Sequence, residues 1–300
     1  MESPIAKAII PAAGWGTRLL PATKSQPKEM LPVGRKPAVQ YVVEELQAAG
    51  LTQVLLVTGQ RKRAIEDHFD LDPELVLALK QAGNEGLLAD LAFLESRTRL
   101  FYTRQSSPQG LGHAISLAEE FCDDEPCVVA LGDSLIAADD PAEPLRAMMQ
   151  AHCDLGAAAV VAVETVPAEE TFRYGIVTVE GAEPPTGEPV LMTDIVEKPS
   201  AGSAPSNLAV AARYTFSPDI FAALKRTPPD RQGHVQLSDA IKVLIQMGKP
   251  VYAWVFGPGQ RRYDVGNFES YFRTFVDFAL ADEQYGYLAR KYIKAKAYEL

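Results

Sequence analysis

Cysteine and histidine are scarce in this sequence, which contains three cysteines and four histidines among 300 residues. Cys122, Cys127 and Cys153 form no Cys-x-x-Cys pair, and no pair of histidines lies near them in the sequence. An odd number of cysteines without a metal-ligand spacing argues against a disulfide framework and against a structural zinc site. We therefore expect reduced, partly buried thiols and a cytoplasmic protein.

Long apolar runs are also missing. No stretch approaches the roughly 18 consecutive apolar residues of a membrane-spanning helix. Residues 1–7 lead into an apolar segment without the charged and apolar regions of a signal peptide. The sequence therefore predicts no membrane partner.

Positive charge is in deficit over the chain as a whole. The formal net charge is -10, with 39 acidic against 29 basic residues, so a nucleic-acid partner would require a local stripe of cations. The densest basic cluster, residues 290–296, has the pattern of the polar face of a helix. We expect no nucleic-acid partner, whereas a small polyanion such as a nucleotide needs only a few focused cations.

The remaining composition is that of a globular protein with a core, since 47% of the residues are apolar and 23% are charged. In the first half, short apolar segments alternate with helical patterns. Strands are predicted at residues 6–12, 54–58, 99–103 and 127–131. Helical segments are predicted at 38–49, 62–69 and 111–121, and helical pieces broken at Gly83 and Gly86 within 73–94. This alternation predicts a parallel, doubly wound sheet with right-handed crossovers.

The second half of the chain is richer in strands. These are predicted at residues 157–163, 175–179, 190–197, 208–216 and 251–256, with an exposed hairpin loop at residues 181–187. Helices are predicted at residues 218–224 and 235–247 and at the C-terminus. We therefore expect one nucleotide-binding core joined to a β-rich half and a helical tail.

A glycine-rich loop follows the first predicted strand. The loop combines small residues with one cation: Ala12, Ala13, Gly14, Gly16, Thr17 and Arg18. Glycine at such positions lets backbone N–H groups approach a phosphate or a flat base closely. Gly-x-Gly also occurs in tight turns that bind nothing, so the neighbouring residues must decide between the two interpretations.

Two common nucleotide-binding motifs do not fit this loop. A dinucleotide fingerprint has a third glycine three residues after the second and an acidic residue at the end of the second strand. Here Leu19 stands in the third position, residues 58–60 read Thr-Gly-Gln, and Pro21 interrupts the helix that should follow. The Gly-Lys-Ser/Thr of a Walker loop is absent as well. These differences exclude an NAD-dependent oxidoreductase.

Cations accumulate on the segment after the loop. Arg18, Lys24 and Lys28 follow the carboxyl end of the first strand, which is where open α/β sheets bind their ligands. Solvated surface charges alone would not require a glycine loop beside them. The segment therefore predicts an anion-binding site.

These residues resemble a known family. Gly-x-Gly-Thr-Arg at residues 14–18 and Pro-Lys-Glu-Met-Leu-Pro at residues 27–32 are similar to the signature of the sugar-1-phosphate nucleotidylyltransferases. Resemblance to the bacterial UTP–glucose-1-phosphate uridylyltransferases continues at residues 40–45, 57–69, 109–114, 173–177, 196–199, 205–209 and 262–267. Thymidylyltransferases share the first motif but differ at the second strand and in the last motif. The resemblance therefore favours the uridylyltransferases over nearly the whole chain.

The resemblance implies a Rossmann-like, doubly wound mixed sheet of the nucleotide-diphospho-sugar transferase type, with a β-rich sugar-binding half and a C-terminal helix. Residues 1–280 would form a single nucleotidyltransferase domain, in which 1–135 mainly bind the nucleotide and 136–267 mainly the sugar, and 268–300 would form a helical tail. The implied reaction joins glucose 1-phosphate to UTP, gives UDP-glucose and pyrophosphate, and requires Mg²⁺. The implied assembly is a homodimer or a homotetramer.

The resemblance also implies roles for individual residues. For the nucleotide it implies Ala12, Ala13, Gly14, Gly16, Thr17, Gln105 and Gly110. For the sugar it implies Gly175, Glu197 and Lys198. Arg18 and Lys28 would bind the β- and γ-phosphates of UTP, and Lys198 would bind the attacking sugar phosphate.

Two carboxylates are candidates for the metal. Asp133 follows an apolar strand and Asp264 lies in a polar segment, where each is also a plausible turn residue. Mg²⁺ takes few protein ligands, so two carboxylates from separate strands suit it, and the resemblance assigns both to the metal. Ser134 stands where many relatives have Asp or Asn, and His234 where they usually have Glu. We expect the first to affect the surroundings of the metal and the second the edge of the sugar pocket.

Two other functions remain open on the residues alone. The same reaction with dTTP or with another sugar phosphate would use the same charged groups. A non-catalytic sugar-nucleotide sensor would be expected to have lost some of them, yet Arg18, Lys28, Asp133 and Asp264 are all present. His113 is expected to be structural.

Overall fold

The computed structural model describes residues 5–181, 184–200 and 202–297. Within these ranges there are thirteen strands: β1 (Lys7–Pro11), β2 (Pro32–Val33), β3 (Lys36–Pro37), β4 (Gln53–Thr58), β5 (Arg99–Arg104), β6 (Cys127–Ala130), β7 (Ser134–Ala137), β8 (Ala159–Thr165), β9 (Gly175–Val179), β10 (Pro189–Glu197), β11 (Leu208–Phe216), β12 (Val251–Val255) and β13 (Arg261–Asp264). The same ranges contain eleven α-helices: α1 (Ala38–Ala48), α2 (Arg63–Phe69), α3 (Pro73–Gln81), α4 (Glu85–Asp90), α5 (Leu111–Ser116), α6 (Glu119–Cys122), α7 (Glu143–Asp154), α8 (Asp219–Arg226), α9 (Leu237–Gln246), α10 (Phe268–Ala281) and α11 (Gly286–Lys296). Short 3-10 helices cover Thr17–Leu19, Lys28–Met30, Ala92–Glu95 and Ala168–Arg173.

Nine strands form one mixed sheet, in the order β5-β4-β1-β6-β11-β8-β12-β10-β9. Strands β5, β4, β1 and β6 are parallel to one another, whereas β11 runs antiparallel to β6 and to β8. The strand order reverses at β1, because the chain first builds outward to β5 and then returns to place β6 on the other side. Open α/β sheets bind ligands beside such a reversal, at the carboxyl ends of the strands. The predicted doubly wound mixed sheet is confirmed.

Helices cover both faces of this sheet because its central strands are apolar on both sides. In β1, Ile9 packs with residues of α5, α8 and α9, whereas Ala8 and Ile10 belong to the core cluster on the opposite face with α1 and α7. Successive side chains of a strand point to opposite faces, so a strand buried on both faces needs a continuous apolar run. The carboxyl ends of the strands are left to carry the functional groups.

A small second sheet was missed by the sequence analysis. Strand β7 pairs antiparallel with β13, so that Ser134 lies opposite Asp264. The N–H of Val265 also bonds to the carbonyl of Asp133 over 2.8 Å. This pairing brings together two segments that are distant in the sequence and places both candidate metal carboxylates side by side.

Two helices predicted as continuous are divided in the structure. The helix expected at residues 111–121 is formed by α5 and α6, because the chain tightens where the N–H of Ala118 bonds to the carbonyl of Ile115. The C-terminal helix is formed by α10 and α11, because the carboxylate of Asp282 accepts backbone N–H groups of the intervening turn. Residues 182 and 183 of the predicted hairpin loop lie outside the described residues. Within the described part, no helix is long and apolar enough to cross a membrane.

An ion pair in the interior joins α1 to the sheet. The side chains of Arg213 and Glu45 are only 1% and 4% exposed. The guanidinium donates two hydrogen bonds to the carboxylate, over 2.8 and 2.6 Å, and a further one of 2.9 Å to the carbonyl of Ser134. Such a pair is costly to break, because removal of one partner leaves an uncompensated charge in the interior.

We predict that Arg213→Met destabilises the protein by about 3–5 kcal/mol, because Glu45 is then buried without a partner. The double variant Arg213→Met/Glu45→Leu removes both charges and is expected to recover part of this loss. Urea unfolding followed by circular dichroism measures the change. The control Lys36→Met removes a partly exposed ion pair with Glu44 and should cost no more than about 1 kcal/mol. Equal unfolding midpoints for Arg213→Met and Lys36→Met would contradict the prediction.

Candidate active site

The glycine-rich loop leaves β1 at the carboxyl edge of the sheet and is held from two sides. The N–H of Ala12 bonds to the carbonyl of Val57 over 2.9 Å, which continues the pairing of β1 with β4. Gly16 has a φ of 67°, a left-handed backbone that favours glycine. A Cβ atom there would lie 3.2 Å from Thr23, whose hydroxyl donates to the carbonyl of Gly16 over 2.7 Å. These contacts hold the loop in one backbone conformation without the help of a ligand.

A buried ion pair fixes the end of this segment. Glu29 accepts a hydrogen bond of 2.7 Å from Lys62, and both side chains are almost fully buried. Burial raises the pKa of Glu29, while the charges of Lys62 and Lys28 act in the opposite direction. The pair ties the turn Lys28–Met30 to the end of β4 and thereby sets the position from which Lys28 projects.

Lys28 and the two aspartates form the electrostatic centre of the site. Lys28 makes an ion pair with Asp133. Burial disfavours the charged form of Asp133, but the neighbouring ammonium outweighs it and lowers the pKa of this carboxyl. At Asp264, burial and repulsion from Asp133 raise the pKa, although Arg262, Lys28 and Arg18 oppose the shift. Two carboxylates thus lie within electrostatic reach of each other, with one ammonium between them and the glycine-rich loop.

This donor set suits a hard divalent cation. In the residues that the structure describes, no group of three or more His, Cys, Asp or Glu side chains is arranged to hold a metal. Mg²⁺ is usually held by one or two carboxylates, with phosphate oxygens and water as its other ligands. Asp264 is already oriented, because its Oδ2 accepts hydrogen bonds from the N–H of Gly266 over 3.1 Å and from Ser270 over 3.4 Å. A cation beside Asp133 and Asp264 would also relieve their mutual repulsion.

A second loop lies beside the glycine-rich loop, at the end of β5. Gln105 is buried, and its Nε2 lies 3.2 Å from the carbonyl of Gly110 and 2.8 Å from Nδ1 of His113. Its Oε1 accepts no hydrogen bond from the described residues. Gly110 has a φ of 93°, and a Cβ atom there would lie 2.6 Å from the carbonyl oxygen of Val235. His113 contacts Gln105, and Gly110 is required by the close approach of the chain near Val235.

The predicted sugar residues line a cavity of about 260 Å³. Its polar and charged walls come from five segments: Ser134, Arg173, Tyr174, Glu197, Lys198, Gln236, Ser238, Arg262 and Asp264. Gly175 belongs to the same wall, and a Cβ atom there would lie 3.3 Å from Oε2 of Glu197. Asp264 also lines this cavity, so the charged cluster meets the cavity at this residue.

Glu197 and Lys198 are held at the end of β10. Oε2 of Glu197 accepts a hydrogen bond of 3.0 Å from Ser238, and its Oε1 lies 2.8 Å from the Lys198 ammonium. Lys198 has a φ of 43°, a left-handed backbone that is uncommon for a residue with a Cβ atom. Its N–H bonds to the carbonyl of Tyr174 over 3.0 Å, which keeps it in this conformation. The exposed ammonium is therefore placed at the mouth of the cavity.

Several residues of the cavity were not singled out in the sequence. Arg262 lies under its wall, bonded to Glu164 over 2.7 Å and stacked 4.7 Å from the ring centre of Tyr174. Ser238 orients Glu197, as described above. Arg262 lies in the last family motif, residues 262–267, and Ser238 lies in the helix predicted at residues 235–247. The sequence therefore pointed to both segments, but only the folded chain shows which of their side chains face the cavity.

The two departures from the family pattern fall in different places. Ser134 lines the cavity, and its Oγ is buried with no hydrogen-bond partner among the described residues. His234 lies against Gly110. A Cβ atom added at Gly110 would be 3.0 Å from the Cβ atom of His234. The cavity wall contains its neighbours Gln236 and Ser238 but not His234. His234 therefore belongs beside the loop of Gln105 rather than to the sugar cavity.

The fold and this cluster of charges define a class of protein. The sequence profile of the family described as "Nucleotidyl transferase" matches residues 7–279, and the chain belongs to that family. Among its relatives, the UTP–glucose-1-phosphate uridylyltransferase 1 of Staphylococcus saprophyticus is 46% identical over 279 residues, covering 93% of this chain and 94% of the relative. The UTP–glucose-1-phosphate uridylyltransferase of Bacillus subtilis is 43% identical over 280 residues, covering 93% of each chain.

Solved structures agree with this assignment. The structure described as UTP-bound UGPase from Acinetobacter baumannii superimposes with a TM-score of 0.88 at 36% identity, covering 96% of this chain and 98% of that one. A structure of UDP-glucose pyrophosphorylase complexed with UDP-glucose superimposes with a TM-score of 0.80 at 37% identity, covering 93% of this chain and 100% of that one. The resemblance to uridylyltransferases is confirmed over almost the full length.

We predict that Gly110→Ala destabilises the protein by about 1–3 kcal/mol, because the new methyl group collides with the backbone at Val235. Nucleotide binding should weaken with it, since the loop of Gln105 must move. Gly86→Ala is the control, because a Cβ atom there meets nothing within 4 Å and alanine favours a helix. Thermal unfolding and calorimetric titration with nucleotide measure both effects. Equal thermal stability and equal nucleotide affinity in the two alanine variants would contradict the predicted collision.

Proposed function

We propose that this chain transfers the uridylyl group of UTP to glucose 1-phosphate, forming UDP-glucose and releasing pyrophosphate. The observation that carries the proposal is the identity with named uridylyltransferases over nearly the whole chain, together with the intact set of charged groups at the carboxyl edge of the sheet. A sensor that had lost catalysis would have no need of a Lys28–Asp133 ion pair with Asp264 within electrostatic reach of it. We therefore favour the enzyme over the sensor.

The chemistry requires positioning rather than a protein base. The phosphate of glucose 1-phosphate has a second pKa of about 6, so it is already a dianion near neutral pH. One of its oxygens attacks the α-phosphorus of UTP in line, a new P–O bond forms, and the bond to the β-phosphate breaks as pyrophosphate leaves. The protein must hold two anions together and stabilise the charge that builds on the leaving group.

The charged residues divide these tasks. Arg18 and Lys28 bind the β- and γ-phosphates, beside the backbone N–H groups of the glycine-rich loop. Lys198, at the mouth of the sugar cavity, binds the attacking phosphate. Asp133 and Asp264 would hold Mg²⁺, which supplies positive charge to the phosphates of both substrates when it is bound. Asp133 and Asp264 share one ammonium, Lys28, which is paired with Asp133, so the two carboxylates still attract a cation.

Neutral groups would select the base and the sugar. Oε1 of Gln105 and the N–H of Gly110 offer an acceptor and a donor that match the edge of uracil. Ala12, Ala13, Gly14, Gly16 and Thr17 line the nucleotide with backbone groups, and the two glycines permit close approach. Glu197 accepts hydrogen bonds from sugar hydroxyls, and Gly175 leaves the room that the sugar ring needs.

We also propose that the chain forms a homodimer or a homotetramer. Helices α4, α10 and α11 expose large apolar side chains, including Leu87, Phe272, Tyr287 and Tyr292. Sedimentation at micromolar concentration should show a dimer or a tetramer, and a monomer alone would contradict this proposal. Cytoplasmic location remains a prediction from the free cysteines, as do the division of residues 1–280 into two halves and the tail from residue 268.

The substrate assignment is tested by a matrix of four nucleoside triphosphates against several sugar 1-phosphates, with pyrophosphate release as the readout. UTP with glucose 1-phosphate should have the highest kcat/KM. A higher value for dTTP or GTP would contradict the uridylyl assignment, and a higher value for another sugar would contradict the glucose assignment.

Lys198→Ala and Arg18→Ala are predicted to change different kinetic constants. Lys198 meets the ground-state sugar phosphate, so its loss should mainly raise the KM for glucose 1-phosphate. Arg18 meets the leaving group, where charge increases in the transition state, so its loss should lower kcat by about a hundredfold or more. Arg18→Lys should recover only part of the lost kcat, because lysine lacks the bidentate fork of the arginine guanidinium.

Steady-state kinetics with each substrate varied in turn measures this difference. Lys249→Ala is the matched control, because it removes an exposed lysine that pairs with Asp219 away from the cavity. If Arg18→Ala changed only the KM for glucose 1-phosphate, the two substrates would be placed the wrong way round.

A further inference from the structure

The segment that leads into α9 contacts both parts of the site. The N–H of Val235 bonds to the carbonyl of Gln109, and the carbonyl of Val235 accepts the N–H of Gly112, each over 2.8 Å. These two bonds hold the loop between β5 and α5. The next residues belong to the other part, because Gln236 and Ser238 line the sugar cavity. One short stretch of chain therefore sets how the loop and the cavity lie relative to each other.

A single carboxylate, that of Asp230, organises this stretch. Its Oδ1 accepts the backbone N–H groups of Gln232 and His234, over 2.8 and 2.9 Å. Its Oδ2 accepts a hydrogen bond of 2.8 Å from Nε2 of Gln236. The N–H of Asp230 donates in turn to the carbonyl of His234 over 2.8 Å. The hydrogen bonds from Gln236 and from the backbone lower the pKa of Asp230, so the side chain is ionised at neutral pH.

This carboxylate fixes which end of the Gln236 amide is left for a ligand. An ionised carboxylate only accepts hydrogen bonds, so the amide must turn its Nε2 towards Asp230. Oε1 of Gln236 accepts no hydrogen bond from any of the described residues. Since Gln236 lines the sugar cavity, the free atom of its amide is an acceptor, which suits the hydroxyl groups of a sugar.

We propose that Asp230 is a positioning residue for both substrates, without contacting either of them. Through Gln236 it keeps an acceptor directed into the sugar cavity. Through the N–H of His234 it fixes the backbone at Val235, and thereby the loop of Gly110. Asp230 itself is not part of the cavity wall. The inference rests on the proposed function for the identity of the two substrates, and it adds a residue to which that function gave no task.

Asp230→Asn tests the connection to the sugar cavity. Asparagine has the same shape as aspartate, and its Oδ1 can still accept the two backbone N–H groups. Its Nδ2 then faces Nε2 of Gln236, so the Gln236 amide must turn over and present a donor to the cavity. The KM for glucose 1-phosphate should rise by about three- to tenfold, as expected for one hydrogen bond. The KM for UTP, kcat and the thermal unfolding temperature should stay unchanged.

Asp230→Asn/Gln236→Glu restores the complementarity. Nδ2 of the asparagine again has an acceptor, and the second carboxylate oxygen of the glutamate is an acceptor towards the cavity. Gln236→Glu alone places two carboxylates against each other and should also raise the KM for glucose 1-phosphate. The double variant should therefore have a lower KM than either single variant, a coupling that a general loss of stability does not produce.

Asp72→Asn is the matched control for these variants. The carboxylate of Asp72 also accepts a backbone N–H, from Leu75 over 3.0 Å. It lies at the exposed start of α3 and lines no part of the sugar cavity. Its kinetic constants should equal those of the wild-type protein.

Asp230→Ala tests the connection to the loop between β5 and α5. It removes all three hydrogen bonds of the carboxylate, so the backbone N–H groups of residues 105–112 should exchange with deuterium about tenfold faster. The KM for UTP should rise together with that for glucose 1-phosphate. Asp230→Asn retains the bonds to the backbone and should exchange at the wild-type rate. Hydrogen exchange followed by mass spectrometry measures this difference on the protein alone.

Three results would overturn the role of Asp230. These are an unchanged KM for the sugar phosphate in Asp230→Asn, a double variant with a KM no lower than those of the single variants, and wild-type exchange rates in Asp230→Ala. If another nucleotide or sugar phosphate proved to be the better substrate, the kinetic comparison would be made with that pair. The exchange measurement needs no substrate, so a failure of the proposed function is separated from a failure at Asp230.

Discussion

The ion pair between Lys28 and Asp133 is the interaction on which the site depends. It joins the segment after β1 to the end of β6. These two strands are neighbours in the sheet, at the point where the strand order reverses. Without this ammonium, Asp133 and Asp264 would be two like charges in a partly buried place, and burial penalises each of them. Lys28 also lies against the glycine-rich loop, where a Cβ atom at Gly14 would be 3.9 Å from its Cε, so the cluster offers carboxylates to a cation on one side and an ammonium to a polyphosphate on the other.

Two other buried ion pairs hold this centre in place. Lys62 anchors Glu29, the residue after Lys28, and Arg213 bonds to the carbonyl of Ser134, the residue after Asp133. Each pair therefore fixes the residue that follows Lys28 or Asp133 in the chain. Since such pairs contribute position more than net stability, they set the geometry of the site, while the apolar strands beneath them supply most of the folding free energy.

Much of this could be predicted from the sequence, and what could not has physical reasons. Strands β1, β4 and β6 contain continuous apolar runs, which local pattern identifies well. The β7–β13 pairing joins short, partly polar strands more than a hundred residues apart, and no local period reveals such a contact. Arg213 and Glu45 are separated by 168 residues and are likewise invisible locally. Arg18, Lys24 and Lys28 form one cationic segment in the sequence, yet the fold turns Lys24 into a different cavity from Asp264.

The most direct test of the electrostatic centre is the binding of Mn²⁺, a spectroscopic substitute for Mg²⁺, followed by electron paramagnetic resonance in the presence of UTP. If Asp133 and Asp264 hold the cation together with the phosphates, the wild-type protein should bind one Mn²⁺ per chain with the nucleotide. Asp133→Asn/Asp264→Asn should weaken this binding by at least about tenfold, as loss of ligand charge requires. Asp67→Asn, on the exposed face of α2, should leave it unchanged. Equal Mn²⁺ affinity in all three proteins would contradict the assignment of the two aspartates.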